Sequence, residues 1–509
     1  MSQTKPLRLL LEECPGAMLV AGSIHTPIGG ISHNSRQIKP GWLFVAVPGL
    51  EHDGNDFIPA AIRAGAAAIA TERPVTVPAG VAMIRVPSAR SALADLAASF
   101  WDHPSHKLTL IGVTGTDGKT TTVQLIGATL RQAGQSVGWL STAGIRIGDQ
   151  TRPNTLDHTT PEAPAIQEML AEMVEAGVDS AVLEVSSHAL ALQRVRGCQF
   201  DVAVFTNLSP EHLNFHGTLE AYRSAKASLM SMLQPGSGVE PPYAAINLDD
   251  PSAEAMIQAS RAPVRTYAIK SSADFTATRI EVTPGGSSFM VHTPGGEFRL
   301  DTQLVGRFNV ENWLAAIAAT SGLGVTTEDI QRAARDLGPV RGRMERVDEG
   351  QPFLVVVDFA HTPQALETAL RTLRPHTRGR LLALFGQAGG RDPANRPAMG
   401  ALATELADYF LITLDDPIHE DPQAIAGAIS AGAIAAGASR GRDFDVELDR
   451  AAAIRRLVDR ARPGDVILLA GKGHEQRMLV GNEKLPWDDA SEARSAIREL
   501  KRRPVEREP

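Results

Sequence analysis

Cysteine is nearly absent from this chain of 509 residues, which holds only Cys14 and Cys198. Two such residues cannot build a disulfide framework, and neither has a Cys or His companion at close zinc spacing. A reducing cytoplasm is the expected setting. Long apolar runs are lacking too. The opening MSQTKPLRLLLEECPGAM is too short in apolar residues for a signal peptide and is broken by Glu12 and Glu13, and no stretch approaches the ~18 apolar residues of a membrane span. No membrane insertion is expected. Excess positive charge is also missing: 50 Lys and Arg stand against 58 Asp and Glu, a net charge of −8. That balance argues against broad contact with nucleic acid or anionic membrane, so any phosphate site must be local. No repeat of fixed period occurs. With 45 Gly, 33 Pro and 43% apolar residues, the composition is that of a folded globular chain.

A length of 509 residues corresponds to about three domains at ~150 residues each. From Gly30 to about Ser99, short strands (WLFVAVPG, AAAIA, AMIRV) alternate with Ala-rich helical pieces, which predicts a small α/β domain over residues 1–104. The DHPSH segment at 102–106 marks its end. Beyond it, LTLIGV at 108–113 reads as a buried parallel strand, and SAVLEV, DVAVFTN and YAAINL repeat that signature between helical stretches such as PAIQEMLAEMVEAG. These predict a central parallel-sheet domain over 105–337, to which the alternating stretch 275–306, with its two PGG turns, adds antiparallel strands. After GPVRGR at 338–343, FLVVVDF, RLLALFG, DYFLITL and DVILLAG predict a third α/β unit over 338–499. LKRRPVEREP at 500–509 reads as a frayed charged tail.

The chemistry is concentrated in LIGVTGTDGKTTT at 110–122. A buried strand runs into Gly115, Thr116, Asp117, Gly118, Lys119, Thr120 and Thr121, and VQLIGATLRQAG then shows helical periodicity with a closing glycine. Such a turn aims backbone N–H groups and a helix N-terminus at an anion. Lys119 can reach outer phosphates and the Thr120 hydroxyl can ligate Mg²⁺, so ATP is the expected ligand. The spacing departs from GxxxxGK[ST]: Gly112 lies six residues before Gly118, and the working glycines are Gly115 and Gly118. Further on, LEVSSHAL sets Glu184 at a strand end, where open α/β sheets hold ligands. FTNLSPEHLNFHG adds His212 and His216, which share a face if helical. Alone, Glu184 and His188 read as a strand end and a packed histidine, and the His212/His216 pair lacks an HExxH context. In phase with the phosphate loop, the strings offer a carboxylate and an imidazole at consecutive strand ends, a plausible Mg²⁺ site.

Taken in order, GTDGKTTT, EVSSHAL, FTNLSPEHLNFHG, YRSAKASL, LVGRFNVEN, GRMERV, VDFAHTPQALE and AGKGHE resemble the Mur ligases. SHNSRQIKPGWLFVAVPGLEHDGNDFIPAAIRAGAAAIATE at 32–72 resembles that family's UDP-binding domain, so the similarity spans nearly the whole chain. The resemblance implies an N-terminal UDP-binding α/β domain, a central P-loop ATPase domain and a C-terminal Rossmann-like domain for an incoming amino acid. It implies ATP-dependent, ADP-forming addition of a third amino acid to UDP-N-acetylmuramoyl-L-alanyl-D-glutamate, through an acyl phosphate, by a cytoplasmic monomer that makes peptidoglycan precursors. By the same resemblance, Lys119 and Thr120 serve the ATP phosphates and a first Mg²⁺, Glu184 the same metal, and His212 a second. Lys226 matches the lysine that this family carries as a carbamate; from the residues alone it reads as a surface lysine on a helix. Asn309, Asn312 and Arg343 match nucleotide contacts, Asp358 the ribose contact, and His361 the adenosine pocket. Ser35 matches the UDP end, while Thr159, Thr160, Ser186 and Arg194 match contacts to the muramoyl peptide and its uridine diphosphate. Arg391 matches the holder of the amino acid's α-carboxylate, and Gly471 and Glu475 match further substrate contacts.

The amino-acid site departs from the family pattern. Members that add meso-diaminopimelate carry DNPR, whose Arg pairs with the distal carboxylate. Here the string is Asp415, Asp416, Pro417 and Ile418. Two acids and an isoleucine suit a distal ammonium, so L-lysine or L-ornithine is expected ahead of meso-diaminopimelate, with His419 a weaker substitute for the Arg. Asp117 stands where Asn is usual and sets an extra negative charge beside phosphate, which lowers the expected nucleotide affinity. Two rivals stay open. One is another ligase of the superfamily, such as folylpolyglutamate synthetase, which leaves the N-terminal domain without a reason. The other is an inactive nucleotide-binding scaffold, against which the retention of Lys119, Thr120, Glu184, His212 and Lys226 speaks.

Overall fold

Strands rich in Val, Ile, Leu and Ala on both faces must be covered on both faces, and that requirement sets the architecture. The computed structural model describes residues 4–49, 52–154, 158–234, 241–390 and 392–502. Arg391 and the chain beyond Arg502 lie outside these residues. In the central sheet, Thr109–Thr114 lies between Ser180–Glu184 and Val202–Phe205, all parallel. Val137–Ser141 extends the sheet on one side, and Tyr243–Asn247, Val264–Ala268 and Phe275–Thr283 extend it on the other. The PGG turns close antiparallel pairings with Gly286–Thr293 and Gly296–Thr302, as expected, in one sheet of eleven strands. Helices Lys119–Gln132 and Arg307–Thr320 cover one face through Val123, Ile126, Leu130 and Trp313; Ala163–Glu175 and Leu219–Ser231 cover the other through Ile166, Leu170, Leu229 and Met230.

Register positions the site. Glu184 lies opposite Val113, and Phe205 opposite Thr114, so the carboxyl ends of three neighbouring strands finish side by side. An open parallel sheet forms its ligand crevice at such a place. Five strands order the N-terminal unit, with Met18–Ala21 antiparallel at one edge and Ala89–Phe100 packed on the sheet. It is tied to the central unit by the Arg196–Asp95 pair at 2.8 Å.

The C-terminal sheet has six strands, in the order Glu345–Val347, Leu354–Asp358, Val466–Ala470, Leu381–Phe385, Tyr409–Ile412 and Phe444–Val446. The two three-residue edge strands and the hairpin Arg477–Val480/Glu483–Pro486 are not apparent in the sequence, because each is too short and too polar to show a period. Residues 500–502, expected in a frayed tail, instead complete the helix Asp489–Arg502, whose Ala490, Ala493, Ala496 and Ile497 are buried. Among the described residues, no helix is long and apolar enough to cross a membrane.

Deep in this unit, Arg450 and Asp489 are both fully buried and paired through two bonds of 2.7 and 2.6 Å. The guanidinium also donates to the carbonyls of Ala470 and Leu414, so it ties the end of one strand to the chain just beyond the strand Tyr409–Ile412. Burial works against the guanidinium's charge, but Asp489 outweighs it and raises the pKa. Replacing Asp489 by Asn leaves that cation without its counter-charge and is expected to destabilise the protein by about 3–5 kcal/mol in chemical unfolding. Replacing both partners with apolar residues of similar volume is expected to lose much less.

Candidate active site

Beyond Thr114 the chain must turn hard against the neighbouring strand end. At Gly115 a Cβ would lie 1.9 Å from Thr206 Oγ1, and at Gly118, where φ is +83°, it would lie 2.3 Å from Asn312 Oδ1. Only glycine fits at either position. The Thr116 N–H donates to the Asn207 carbonyl (2.8 Å), the Asp117 N–H donates to Asn207 Oδ1 (2.9 Å), and Thr206 Oγ1 donates to the Asp117 carbonyl (2.7 Å). The loop is thereby clamped. Lys119 opens the next helix, and its Nζ folds back to the carbonyls of Thr116 and Gly115 at 2.7 and 3.0 Å. Thr121 is buried in that helix's first turn.

Glu184 reaches the loop from the adjacent strand. Its Oε2 accepts from Thr120 Oγ1 (3.0 Å), Thr142 Oγ1 (3.0 Å) and the Thr142 N–H (2.9 Å). A hydroxyl and a carboxylate in contact form the hard-oxygen donor pair that suits Mg²⁺. Lys226 is not a surface lysine: it is buried, donates to the Gly115 carbonyl at 2.6 Å and lies 4.5 Å from the Tyr222 ring centre. Burial, and then the neighbouring Lys119, hold its pKa well below the ordinary lysine value. A neutral amine, the form that adds CO₂, is therefore favoured at this spot.

His212 adopts a left-handed conformation (φ 56°) and caps the short helix Leu213–His216 rather than riding on it. It lines the cleft edge-on to His188 at 4.6 Å, whereas His216 turns to Ser187 Oγ at 3.0 Å. Of the i, i+4 pair, therefore, His212 lines the cleft and His216 does not. Glu211, which no spacing in the sequence singles out, is the carboxylate that gathers imidazoles: its Oε1 lies 3.4 Å from Nε2 of both His212 and His361. Burial would raise its pKa, but the bond to His361 and the charges of His212 and Lys119 hold the carboxyl well below its usual range. Asp117 is pushed up, by burial first and Glu211 second.

These groups line a cleft of about 780 Å³ between the central and C-terminal sheets. Arg343, His361 and Glu475 face it from the C-terminal side, and Thr159, Ser186 and Arg194 from the central side. Thr160 lies just behind, donating to the Glu184 carbonyl at 2.7 Å while its own carbonyl accepts from Arg194 at 3.1 Å. Asn309 and Asn312 are bonded to each other at 3.1 Å and support the loop from beneath, outside the cleft lining. Asp358 does not line it either: its two oxygens accept the N–H groups of Met344 (2.7 Å) and Ala360 (2.9 Å) and so shape the loops that carry Arg343 and His361. Gly471 ends its strand with its N–H on the Asp358 carbonyl at 3.1 Å. Ser35 lies in the 3₁₀ turn Ser35–Gln37 of the N-terminal unit, away from the cleft lining. Thr142, Arg341, His474 and Arg477 also line the cleft; Thr142 and Arg477 lie in no motif string, and His474 and Arg341 lie inside AGKGHE and GPVRGR with no spacing that singles them out.

Asp415 and Asp416 behave differently from expectation. Both are buried and outside the cleft lining, and the ammonium of fully buried Lys472 lies among them, 2.7 Å from Asp416, 3.8 Å from Asp415 and 2.6 Å from Glu475. The charge that favoured a substrate's distal ammonium is answered by the chain's own lysine. Ile418 beside them has φ 55°, an unusual conformation for a β-branched residue, held by backbone bonds to Leu479 and Gly481.

A glycine-looped parallel sheet and a second Rossmann-like sheet, with titratable groups facing across the cleft between them, define a multidomain α/β enzyme. Residues 27–101 match the Mur ligase family catalytic domain, 113–320 the Mur ligase middle domain, and 342–473 the Mur ligase glutamate ligase domain. A UDP-N-acetylmuramoyl-L-alanyl-D-glutamate--2,6-diaminopimelate ligase of Geobacillus thermodenitrificans is 42% identical over 97% of this chain and 99% of its own. A UDP-N-acetylmuramyl-tripeptide synthetase of Roseiflexus sp. is 44% identical over 94% of this chain and 96% of its own. A solved structure bearing the diaminopimelate ligase name aligns with a TM-score of 0.67 and 32% identity, covering 96% of this chain and 98% of the other. The chain belongs to the Mur ligase family, with that family's three-domain α/β fold, and is a ligase.

Burial lowers the pKa of Lys472, but Asp415, Glu475 and Asp416 outweigh it and raise it overall. A raised folded-state pKa contributes stability below the unfolded value of ~10.4 and loses it as pH climbs through the folded value. Lys472→Met is therefore expected to unfold at lower urea concentration than wild type at pH 7, by about 3–5 kcal/mol, with the gap narrowing above pH ~10.4.

Proposed function

We propose that this chain joins a diamino acid to UDP-N-acetylmuramoyl-L-alanyl-D-glutamate, consuming ATP and releasing ADP and phosphate. The observation that carries the reading is the convergence on one glycine loop of Lys119, the Thr120–Glu184 pair and buried Lys226. The names of the two relatives, each covered almost end to end, support the substrate assignment. Residues 1–104 would hold the uridine end through the segment around Ser35, 105–337 the ATP, and 338–499 the amino acid, with Thr159, Thr160, Ser186 and Arg194 on the muramoyl peptide side. Arg391, Gly471 and Glu475 are assigned to the amino acid, and Asn309, Asn312, Arg343, Asp358 and His361 to the nucleotide or its supports.

A peptide carboxylate is a poor acyl donor, because its leaving group would be oxide. Lys119, whose ammonium crosses the loop, and Arg343, whose Nη2 lies 3.3 Å from Thr120 Oγ1, set cations where γ-phosphate charge gathers. One carboxylate oxygen bonds to the γ-phosphorus as the β–γ bridge breaks and ADP departs, leaving an acyl phosphate. The amine nitrogen of the diamino acid then bonds to the acyl carbon and loses a proton, and phosphate leaves. Thr120, Glu184 and His212, with Lys226 as its carbamate, would hold Mg²⁺, as two ions, and the metal would supply charge neutralisation at the triphosphate. Closure of the two cleft walls over bound substrates would exclude the water that hydrolyses an acyl phosphate.

With Lys472 paired to Asp415 and Asp416, these acids are already engaged and confer no preference for L-lysine or L-ornithine, and the relative's name favours 2,6-diaminopimelate. Phosphate release from ATP, measured with the UDP-muramoyl dipeptide and each diamino acid in turn, is expected to require one of them; release only with a folate substrate would overturn the reading. Lys226→Ala is expected to abolish turnover, and bicarbonate to restore a decarbamylated wild-type preparation but not the variant. Near-normal activity of Lys226→Ala would remove the carbamate.

A further inference from the structure

We propose that Glu211 is a positioning residue that fastens the C-terminal domain over the phosphate loop by holding His361, an inference that rests on the ligase reading for its kinetic arm only. Glu211 stands on the central wall, in the turn between Val202–Phe205 and Leu213–His216, with its side chain 14% exposed. Its Oε1 lies 3.4 Å from Nε2 of His361 on the opposite wall. The other nitrogen of that ring, Nδ1, is 2.8 Å from the Phe359 carbonyl. Oxygen acceptors on both sides fix how the imidazole is turned.

What makes the contact more than local is Phe359. Its ring packs 4.5 Å from His361 and 4.9 Å from His474 and lies 4.6 Å beneath the Arg343 guanidinium. From that one platform two arms cross the cleft: His361 to Glu211, and Arg343 to Thr120. The platform itself is braced, because Asp358 grips the N–H groups of Met344 and Ala360 on the two loops that bear the arms. Fixing His361 therefore fixes where Arg343 arrives on the phosphate loop. Removing the Glu211 carboxylate leaves every group on Arg343 and Thr120 in place and takes away the registration between them.

The test uses the full chain with Glu211→Gln, His361→Asn and the double variant. Small-angle scattering without substrates is expected to give a larger radius of gyration for Glu211→Gln than for wild type. In the ligase assay each single variant is expected to lower kcat about tenfold or more, with the KM for the UDP-muramoyl dipeptide unchanged. The double variant should be no slower than His361→Asn alone, because Glu211 acts through His361 and not through its other neighbour, His212. An unchanged radius, or losses that multiply in the double variant, would overturn the proposal. If Glu211→Gln does not fold, Glu211→Asp, which keeps the charge on a shorter arm, carries the same expectations at smaller size. The scattering arm needs no amide chemistry, so failure of the ligase reading leaves it standing, and additive variants with full ligase chemistry remove the latch alone.

Discussion

One close approach underlies the cleft: the backbone at Gly115 passes against the end of the strand Val202–Phe205, where no side chain fits beside Thr206. That approach lets Thr116 and Asp117 bond to Asn207 and places the Gly115 carbonyl where both Lys119 and Lys226 can reach it. The strands beneath are buried on both faces, so polar side chains can emerge only at their carboxyl ends. Register then decides which ones meet. Glu184 emerges beside the loop because it pairs opposite Val113.

The second wall owes its form to buried charge. Arg450 with Asp489, and Lys472 with Asp415, Asp416 and Glu475, are groups that could not be left unpaired in a low-dielectric interior. Their pairing joins the strand end Ala470 and Leu414, just beyond the strand Tyr409–Ile412, to the loop that carries His474 and Glu475 into the cleft. The cleft thus lies between a wall set by steric fit and a wall held by buried ion pairs.

Much of this was legible in the sequence. Continuous apolar strings such as LTLIGV and DVILLAG became buried parallel strands, the PGG turns became hairpins, and the glycine loop lies between strand and helix as its spacing predicts. The rest depended on packing between distant residues, which no local pattern encodes. Lys226 reads as exposed on helical periodicity, yet the Leu219–Ser231 helix docks it under the loop. Asp415 and Asp416 read as an acidic pocket because their cation stands at position 472. Glu211 and His361 carry no joint signal, since their meeting exists only when two domains face each other. The final residues read as a frayed tail because LKRR is all charge after one Leu, but the apolar stripe from Ala490 to Ile497 carries the helix through Arg502.

The central claim is that the turn from Gly115 to Thr120, with Glu184 beside it, seats a nucleotide's phosphates and their divalent cation. Its most direct test is an anomalous difference map from crystals grown with ADP and Mn²⁺. A manganese peak is expected in contact with Thr120 Oγ1 or Glu184, with the β-phosphate on the loop's N–H groups. Nucleotide bound elsewhere, or manganese away from both side chains, would contradict it.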